Sequence, residues 1–405
     1  MRQETELCDD LIPKVTGAID LLYDNELREE MSTVLVIGGG VGGCSAIVGL
    51  RKFDKGKTDI ILVDPKDHCE IFWAAYRSPF EDWVAKDSLA SLGAWSKKHK
   101  VKHVRSYVVK LTRREATLQN GEVIAFDVCV VATGAADKSA MMGRGLPSGD
   151  GTRESRLKEM KEAGDRIMNS NSVAIVGGGF IGCELAGDIS AYSKQRNQPV
   201  SVTLVHSGAS LCHHEISQKA SKMVQKKLEK LGVKVILNDK ADKKPNGTVV
   251  LKHSGDTLVA DEVIYTTGLL PVNGFLEECF EASLNQQGWI ETDDCFRMKG
   301  EANMFCIGDC STLLANAGNK YLNNMKVIGK NLIVTLDAIA NGCMPPKEAR
   351  LVKAKEGLDV AVVTVGNKEG VAWTPVGHSQ FLLPSLKNKT MFFHAKGQLE
   401  FPKER

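Results

Sequence analysis

The strongest constraint in this sequence is a repetition. Residues 33–46 read TVLVIGGGVGGCSA, and residues 172–187 read SVAIVGGGFIGCELAG. In each, an apolar, β-branched run meets three glycines and passes into a helix-like apolar pattern. Two such turns in one chain point to two bound nucleotides.

The first copy has a complete physical reading. Val34–Ile37 is a short continuous apolar run, as a strand buried on both faces requires. Gly38-x-Gly40-x-x-Gly43 follows: the first glycine permits a tight turn, the second lets backbone approach a pyrophosphate, and the third lets helix and strand pack closely. The loop Gly38, Gly39, Gly40, Val41, Gly42, Gly43 then offers phosphate the free N–H groups and positive end of the next helix. A second strand, Ile60–Val63, ends at Asp64, 21 residues after Gly43, where a carboxylate can accept hydrogen bonds from ribose hydroxyls.

The second copy repeats the design at Gly177, Gly179 and Gly182, with Phe180 and Ile181 opening the helix. Its next strand, Val202–Val205, ends in His206-Ser207 instead of an acid. Without a carboxylate a 2′-phosphate is not repelled, and His206 can hydrogen-bond to one; it equally fits an ordinary strand end. This site is expected to take NADPH as well as NADH.

Three more segments follow in order. FDVCVVATG (126–134) is a strand ending in Ala132, Thr133 and Gly134, small enough to turn past a cofactor. EVIYTTGLLP (262–271) echoes it with Thr267-Gly268, as if the two were paired crossings between domains. NMFCIGDC (303–310) is an apolar strand ending in Gly308-Asp309, whose aspartate can bind a ribityl hydroxyl.

With these motifs in this order, the chain resembles the two-dinucleotide-binding flavoproteins, the pyridine nucleotide–disulfide oxidoreductase superfamily, over about residues 31–345. The resemblance implies an α/β fold with two Rossmann-like dinucleotide-binding domains, the second inserted in the first, plus a small C-terminal α+β domain. The expected boundaries are an N-terminal extension (1–30), an FAD domain (31–135 and 272–345), an NAD(P) domain (136–271) and a C-terminal domain (346–405). The cofactors implied are FAD at the first loop, the Thr-Gly strand and the Gly-Asp strand, and NADH or NADPH at the second loop.

Absences narrow the choice. Disulfide reductases of the glutathione type carry CxxxxC soon after the first strand-end acid; here DPKDHCEIFWAAYRS holds Cys69 alone. No CxxC of the small thioredoxin reductase kind occurs in the NAD(P) domain. A disulfide relay needs a nucleophile and a resolving partner. Cys306 and Cys310, flanking the Gly-Asp turn, read as packing residues. Electrons are then expected to pass from the flavin directly to a small acceptor.

The segment WAAYRS (73–78) and the stretch GGGFIGCELAGD (177–188) resemble the apoptosis-inducing-factor-like, ferroptosis-suppressor-type NAD(P)H:quinone oxidoreductases. That likeness implies an FAD contact for Arg77, a place beside the flavin–nicotinamide stack for Glu184 as the catalytic residue, adenine contact near Ser106, and a quinone-like acceptor. VVTVGNKEGVAW (362–373) resembles the same group's C-terminal strand-and-glycine segment. Two alternatives stay open: a flavin-bearing redox sensor or interaction protein, and a single-cysteine thiol or peroxide reductase using Cys69.

Composition excludes other classes. A net charge of +2 leaves no electrostatic footprint for nucleic acid. Eleven scattered cysteines fit a reducing compartment better than a disulfide scaffold. Nine acids against three bases in the first thirty residues do not make a transit peptide, and no apolar run suits a signal peptide or a membrane span. Leu11, Val15, Ala18 and Leu22 fall at helical spacing, and Arg2 after Met1 excludes a myristoylation signal. The expectation is a cytoplasmic monomer or homodimer, with peripheral membrane contact conceivable through Phe392 and Phe393. No metal site is expected, since adjacent His213 and His214 cannot share one helix face.

Overall fold

The computed structural model describes residues 32–137, 149–212, 216–243, 248–314, 318–343, 350–357 and 359–402. The helix expected around Leu11–Leu22 and the pair His213-His214 lie outside the described residues.

In chain order the first unit comprises β1 (Thr33–Ile37), α1 (Val41–Asp54), β2 (Asp59–Val63), β3 (Val101–Val104), β4 (Val128–Val131) and β5 (Ala135–Asp137). The second comprises α2 (Arg153–Met168), β6 (Ser172–Val176), α3 (Phe180–Gln195), β7 (Ser201–Val205), β8 (Lys234–Ile236), β9 (Glu262–Tyr265) and β10 (Leu269–Pro271). The chain continues with β11 (Met304–Cys306) and α4 (Met325–Ala340), then β12 (Ala361–Val365), β13 (Glu369–Thr374), β14 (Gly377–Ser379), α5 (Leu382–Thr390) and α6 (His394–Gln398).

Two parallel sheets follow from the two apolar runs. The first has the order β11-β4-β1-β2-β3, so a strand from beyond residue 300 closes a sheet begun at residue 33. Val34 pairs with Ile60 on one side and Val128 on the other, and Val34, Leu35, Val128 and Val130 are fully buried, as the absence of alternation in their sequences requires. The second sheet has the order β8-β7-β6-β9 and is built wholly from strands between β5 and β10. Those two crossings lie side by side as an antiparallel pair, Ala135 opposite Pro271.

The C-terminal part is the antiparallel meander β12-β13-β14, one face of which meets α5. It is docked against α3. A Cβ on Gly187 would stand 2.6 Å from the Gly366 nitrogen, so only glycine lets helix and strand end approach this closely. The chain end returns to the first unit, where Trp95 Nε1 donates to the Leu399 carbonyl at 2.7 Å. α2 is tied to the first unit by Arg156, whose guanidinium forks onto the buried Glu70 carboxylate.

Candidate functional site

The two glycine loops have the same construction. Gly38 has φ +106° and Gly177 φ +117°, a region closed to side chains. Each first glycine donates to the end of the neighbouring strand: Gly38 N to Val63 O at 2.9 Å, Gly177 N to Val205 O at 2.8 Å. A Cβ on Gly43 or Gly182 would lie 1.9 Å from the carbonyl oxygen of Gly38 or Gly177, so the third glycine closes the turn upon itself. A Cβ on Gly40 or Gly179 would meet nothing within 4 Å. The second glycine therefore opens its backbone to free space at the start of a helix, which is the surface a pyrophosphate needs.

Around the first loop the expected flavin residues converge. A Cβ on Gly38 would come 2.3 Å from the Ala132 oxygen, and one on Gly42 2.8 Å from the Ile307 oxygen. The loop is thus pressed between the ends of β4 and β11, which carry Ala132-Thr133-Gly134 and Gly308-Asp309. Thr133 Oγ1 donates to Asn273 Oδ1 at 3.1 Å, and the Tyr321 hydroxyl donates to Asp309 Oδ1. Asp64 is buried; its Oδ2 accepts from Gly39 N at 2.6 Å and its Oδ1 from Lys66 N at 2.8 Å. Beyond Asp64 opens a cavity of about 570 Å³ lined by Pro65, Arg105, Ser106, Tyr107, Asp150 and Gly151. Ser106 thus lines a cavity beside the strand end that carries Asp64.

Around the second loop one substitution stands out. His206 Nδ1 accepts from Gly178 N at 3.1 Å, the bond that Asp64 makes to Gly39. The imidazole therefore takes over the structural half of the aspartate's role without its charge. Val41, Phe180 and Ile181 are half-buried, and Gly268 stands open at φ +108°. The sequence reading missed Thr266, whose hydroxyl caps the Gly177 carbonyl at 2.7 Å; its place at the end of the strand beside the loop was the available signal.

A third region joins all parts of the chain. Glu184, in the first turn of α3, has only 3% of its surface exposed. Its Oε1 accepts from Lys387 Nζ at 2.6 Å, from Thr364 N at 2.9 Å and from Thr364 Oγ1 at 3.0 Å. Thr364 Oγ1 also meets the Tyr76 hydroxyl at 2.8 Å. One turn on, Asp188 receives Arg77 Nε at 2.9 Å and Nη2 at 3.0 Å, and Nη2 also reaches the Gly366 carbonyl at 3.1 Å. Burial pushes the Asp188 carboxyl up to about 6 against the pull of Arg77, with Glu184 adding to the rise.

This placement corrects the expectation for Arg77. The side chain is fully buried, and its nitrogens are committed to Asp188, the Gly366 carbonyl and the Met391 sulfur. A guanidinium between α3 and the C-terminal strands locks the parts together; no face of it remains for a flavin. Lys387 and Thr364, which hold Glu184, and Asp188, which holds Arg77, were not singled out from sequence.

The comparisons with known proteins agree with this fold. The profile described as "pyridine nucleotide-disulphide oxidoreductase" matches residues 32–328. The chain belongs to that family. Its members bind FAD and use NAD(P)H. Among curated relatives, apoptosis-inducing factor homolog B of Dictyostelium discoideum is 25% identical over 93% of this chain and 99% of its own length. Ferroptosis suppressor protein 1 of Mus musculus is 25% identical over 84% of this chain and 87% of its own. The structure of the sulfide:quinone oxidoreductase from Aquifex aeolicus aligns with a TM-score of 0.68 at 16% identity, covering 91% of this chain and 92% of that one. The reduced Bacillus anthracis protein CoADR-RHD aligns with a TM-score of 0.63 at 21% identity over 85% of this chain, which spans 61% of that longer one. These structures are alike in fold, the mixed α/β arrangement with two Rossmann-like sheets.

Proposed function

We propose that the chain is an FAD-dependent oxidoreductase that takes electrons from NAD(P)H and delivers them to a quinone-like small acceptor with no thiol relay to substrate. FAD, when bound, supplies the two-electron chemistry. The first cradle, Gly38 to Gly43, would hold its pyrophosphate, Asp64 its ribose, the cavity at Ser106 its adenine, and Thr133, Gly134 and Asp309 its other end. The second cradle, with Gly177, Gly179, Gly182 and the uncharged His206, would hold NADH or NADPH. Glu184 is the orienting residue: Lys387 and Thr364 fix Oε1, and no described residue bonds Oε2, which leaves that oxygen for the nicotinamide amide.

One observation carries the direct-transfer reading. The described cysteines around the first cradle, Cys44, Cys69, Cys129, Cys306 and Cys310, are each fully buried. None presents sulfur to a disulfide substrate arriving from outside. The relatives named for ferroptosis suppression and the fold neighbour named for quinone reduction support the choice of acceptor. No described helix is long and apolar enough to cross a membrane. Peripheral contact with a quinone-bearing lipid surface would fall on the bared apolar side chains Val376, Phe381 and Leu382, at 98%, 83% and 77% exposure, in preference to half-buried Phe392 and Phe393.

The test is steady-state NADH and NADPH oxidation with a short-chain quinone, a hydroperoxide and a low-molecular-weight disulfide offered separately. Quinone turnover that survives Cys69→Ser is expected. Turnover confined to the thiol-type acceptors and lost in that variant would establish the peroxide or disulfide reductase instead. A bound flavin that stays reduced with every acceptor would favour the sensor.

A further inference from the structure

Six cysteines sit in three buried pairs. Cys44 neighbours Cys69, Cys183 Sγ lies 3.7 Å from Cys212 Sγ, and Cys306 Sγ lies 3.4 Å from Cys310 Sγ. The last pair differs from the other two in place and in surroundings. Its members bracket Gly308-Asp309, the turn pressed against the first glycine loop, with Gly308 at φ +105° between them. Cys310 Sγ also lies 3.7 Å from the Val131 carbonyl oxygen, at the end of β4, and 3.8 Å from the Ile307 carbonyl oxygen. The neighbouring Cys306 thiol draws Cys310 below the usual thiol value against its burial, whereas burial pushes Cys306 well up. Two sulfurs 3.4 Å apart can serve as attacking and resolving thiol.

We infer that Cys306 and Cys310 are a peroxide-sensitive thiol pair that closes a disulfide across the Gly308–Asp309 turn. Both sulfurs are fully buried, so hydrogen peroxide, scarcely larger than water, reaches them when the turn around Gly308 opens locally, an opening too small for a disulfide substrate. Cys310 thiolate attacks one peroxide oxygen, the O–O bond breaks, and the departing hydroxide takes a proton to become water. The Cys310 sulfur, now a sulfenic acid, has lost two electrons to the peroxide. Cys306 sulfur then attacks it, the S–O bond breaks, the S–S bond forms, and the second water leaves carrying the Cys306 proton. In sum, two thiols and one peroxide give one disulfide and two waters. The sulfurs must approach from 3.4 Å to about 2.05 Å, a movement the turn between them can absorb. The closed bond staples the two sides of the turn that carries Asp309, so the oxidation state of the pair reports on, and constrains, the proposed FAD contact. The pair faces no external acceptor and stays off the path of turnover. Only its location beside a cofactor rests on the function proposed above.

The experiment treats the full-length purified protein with hydrogen peroxide, blocks free thiols by alkylation, and maps residues 306 and 310 by peptide mass before and after dithiothreitol. The expected result is loss of alkylation at both positions together, a cross-linked peptide lighter by two hydrogens, and full recovery on reduction. Cys306→Ser should leave Cys310 trapped as a sulfenic acid that reacts with dimedone, and Cys310→Ser should leave Cys306 alkylatable. Wild-type protein in which both thiols stay alkylatable, or in which only Cys183 or Cys212 is lost, overturns the inference. A visible spectrum of the same sample separates the two claims. Yellow protein with open thiols defeats the pair alone, and colourless protein with a closed pair defeats the flavoprotein reading alone.

Discussion

The two halves of this molecule solve one problem twice with a different side chain at the end of the second strand. In both, the second residue of the glycine loop points an N–H at the end of the neighbouring strand. Asp64 accepts it in the first half at 2.6 Å, and His206 accepts it in the second at 3.1 Å. The loop therefore demands an acceptor at the strand end, and the acceptor's charge is the free variable. An aspartate brings a carboxylate to the strand end; an imidazole accepting through Nδ1 carries its proton on Nε2 and brings none. In the proposed function this difference would suit the first half to a ribose with free hydroxyls and leave the second tolerant of a 2′-phosphate.

The largest effect expected from breaking this likeness comes from the third glycines. Gly43→Val drives carbon into the Gly38 carbonyl and should abolish bound flavin, read as absorbance per protein. Gly182→Val should instead leave flavin in place and remove reduction by NAD(P)H. If both variants lose flavin equally, the halves are not separable sites.

Next comes the tie between the halves. Arg77→Ala leaves Asp188 buried without its partner and should cost about 3–5 kcal/mol in urea unfolding, the usual penalty for half of a buried pair. The exposed pair Lys161–Asp165 is the control, and Lys161→Ala should stay within about 0.5 kcal/mol. Equal costs would mean that Arg77 does not lock the units.

A smaller change is expected at Glu184. Glu184→Gln keeps the shape but leaves Lys387 facing a neutral amide. It should lower kcat/KM for NAD(P)H by about tenfold or more, roughly 1.4 kcal/mol, with flavin content unchanged. The smallest effect should follow His206→Asp, which makes the second half like the first. The NADPH-to-NADH ratio of kcat/KM should fall by roughly tenfold through repulsion of the 2′-phosphate. An unchanged ratio would show that the strand end does not read this phosphate.

The parts legible in the sequence were those in which a local pattern has one physical cause. Val34–Ile37 followed by Gly38, Gly40 and Gly43 admits almost no reading but a buried strand entering a phosphate-binding turn, and the second copy does so again. Asp64 and His206 were legible as positions because each ends a short apolar run. What His206 does was not legible, since its bond to Gly178 depends on how two strands lie in register. The Glu184 junction was hidden for a stronger reason. Lys387 lies 203 residues away, Thr364 180, and Arg77 reaches Asp188 across 111, so no periodicity or spacing carries them. Arg77 was assigned to a cofactor through the likeness of WAAYRS to the apoptosis-inducing-factor-like group, while the carboxylate that claims it is on another unit.

The central claim is that the first cradle carries a flavin which is reduced from the second. Anaerobic titration of the purified chain with NADH, followed in the visible range, tests it most directly. The account predicts one flavin per chain, bleached by a stoichiometric amount of NADH in wild type and left oxidised in Gly182→Val. Protein with no bound flavin, or a flavin bleached equally well in that variant, would contradict it.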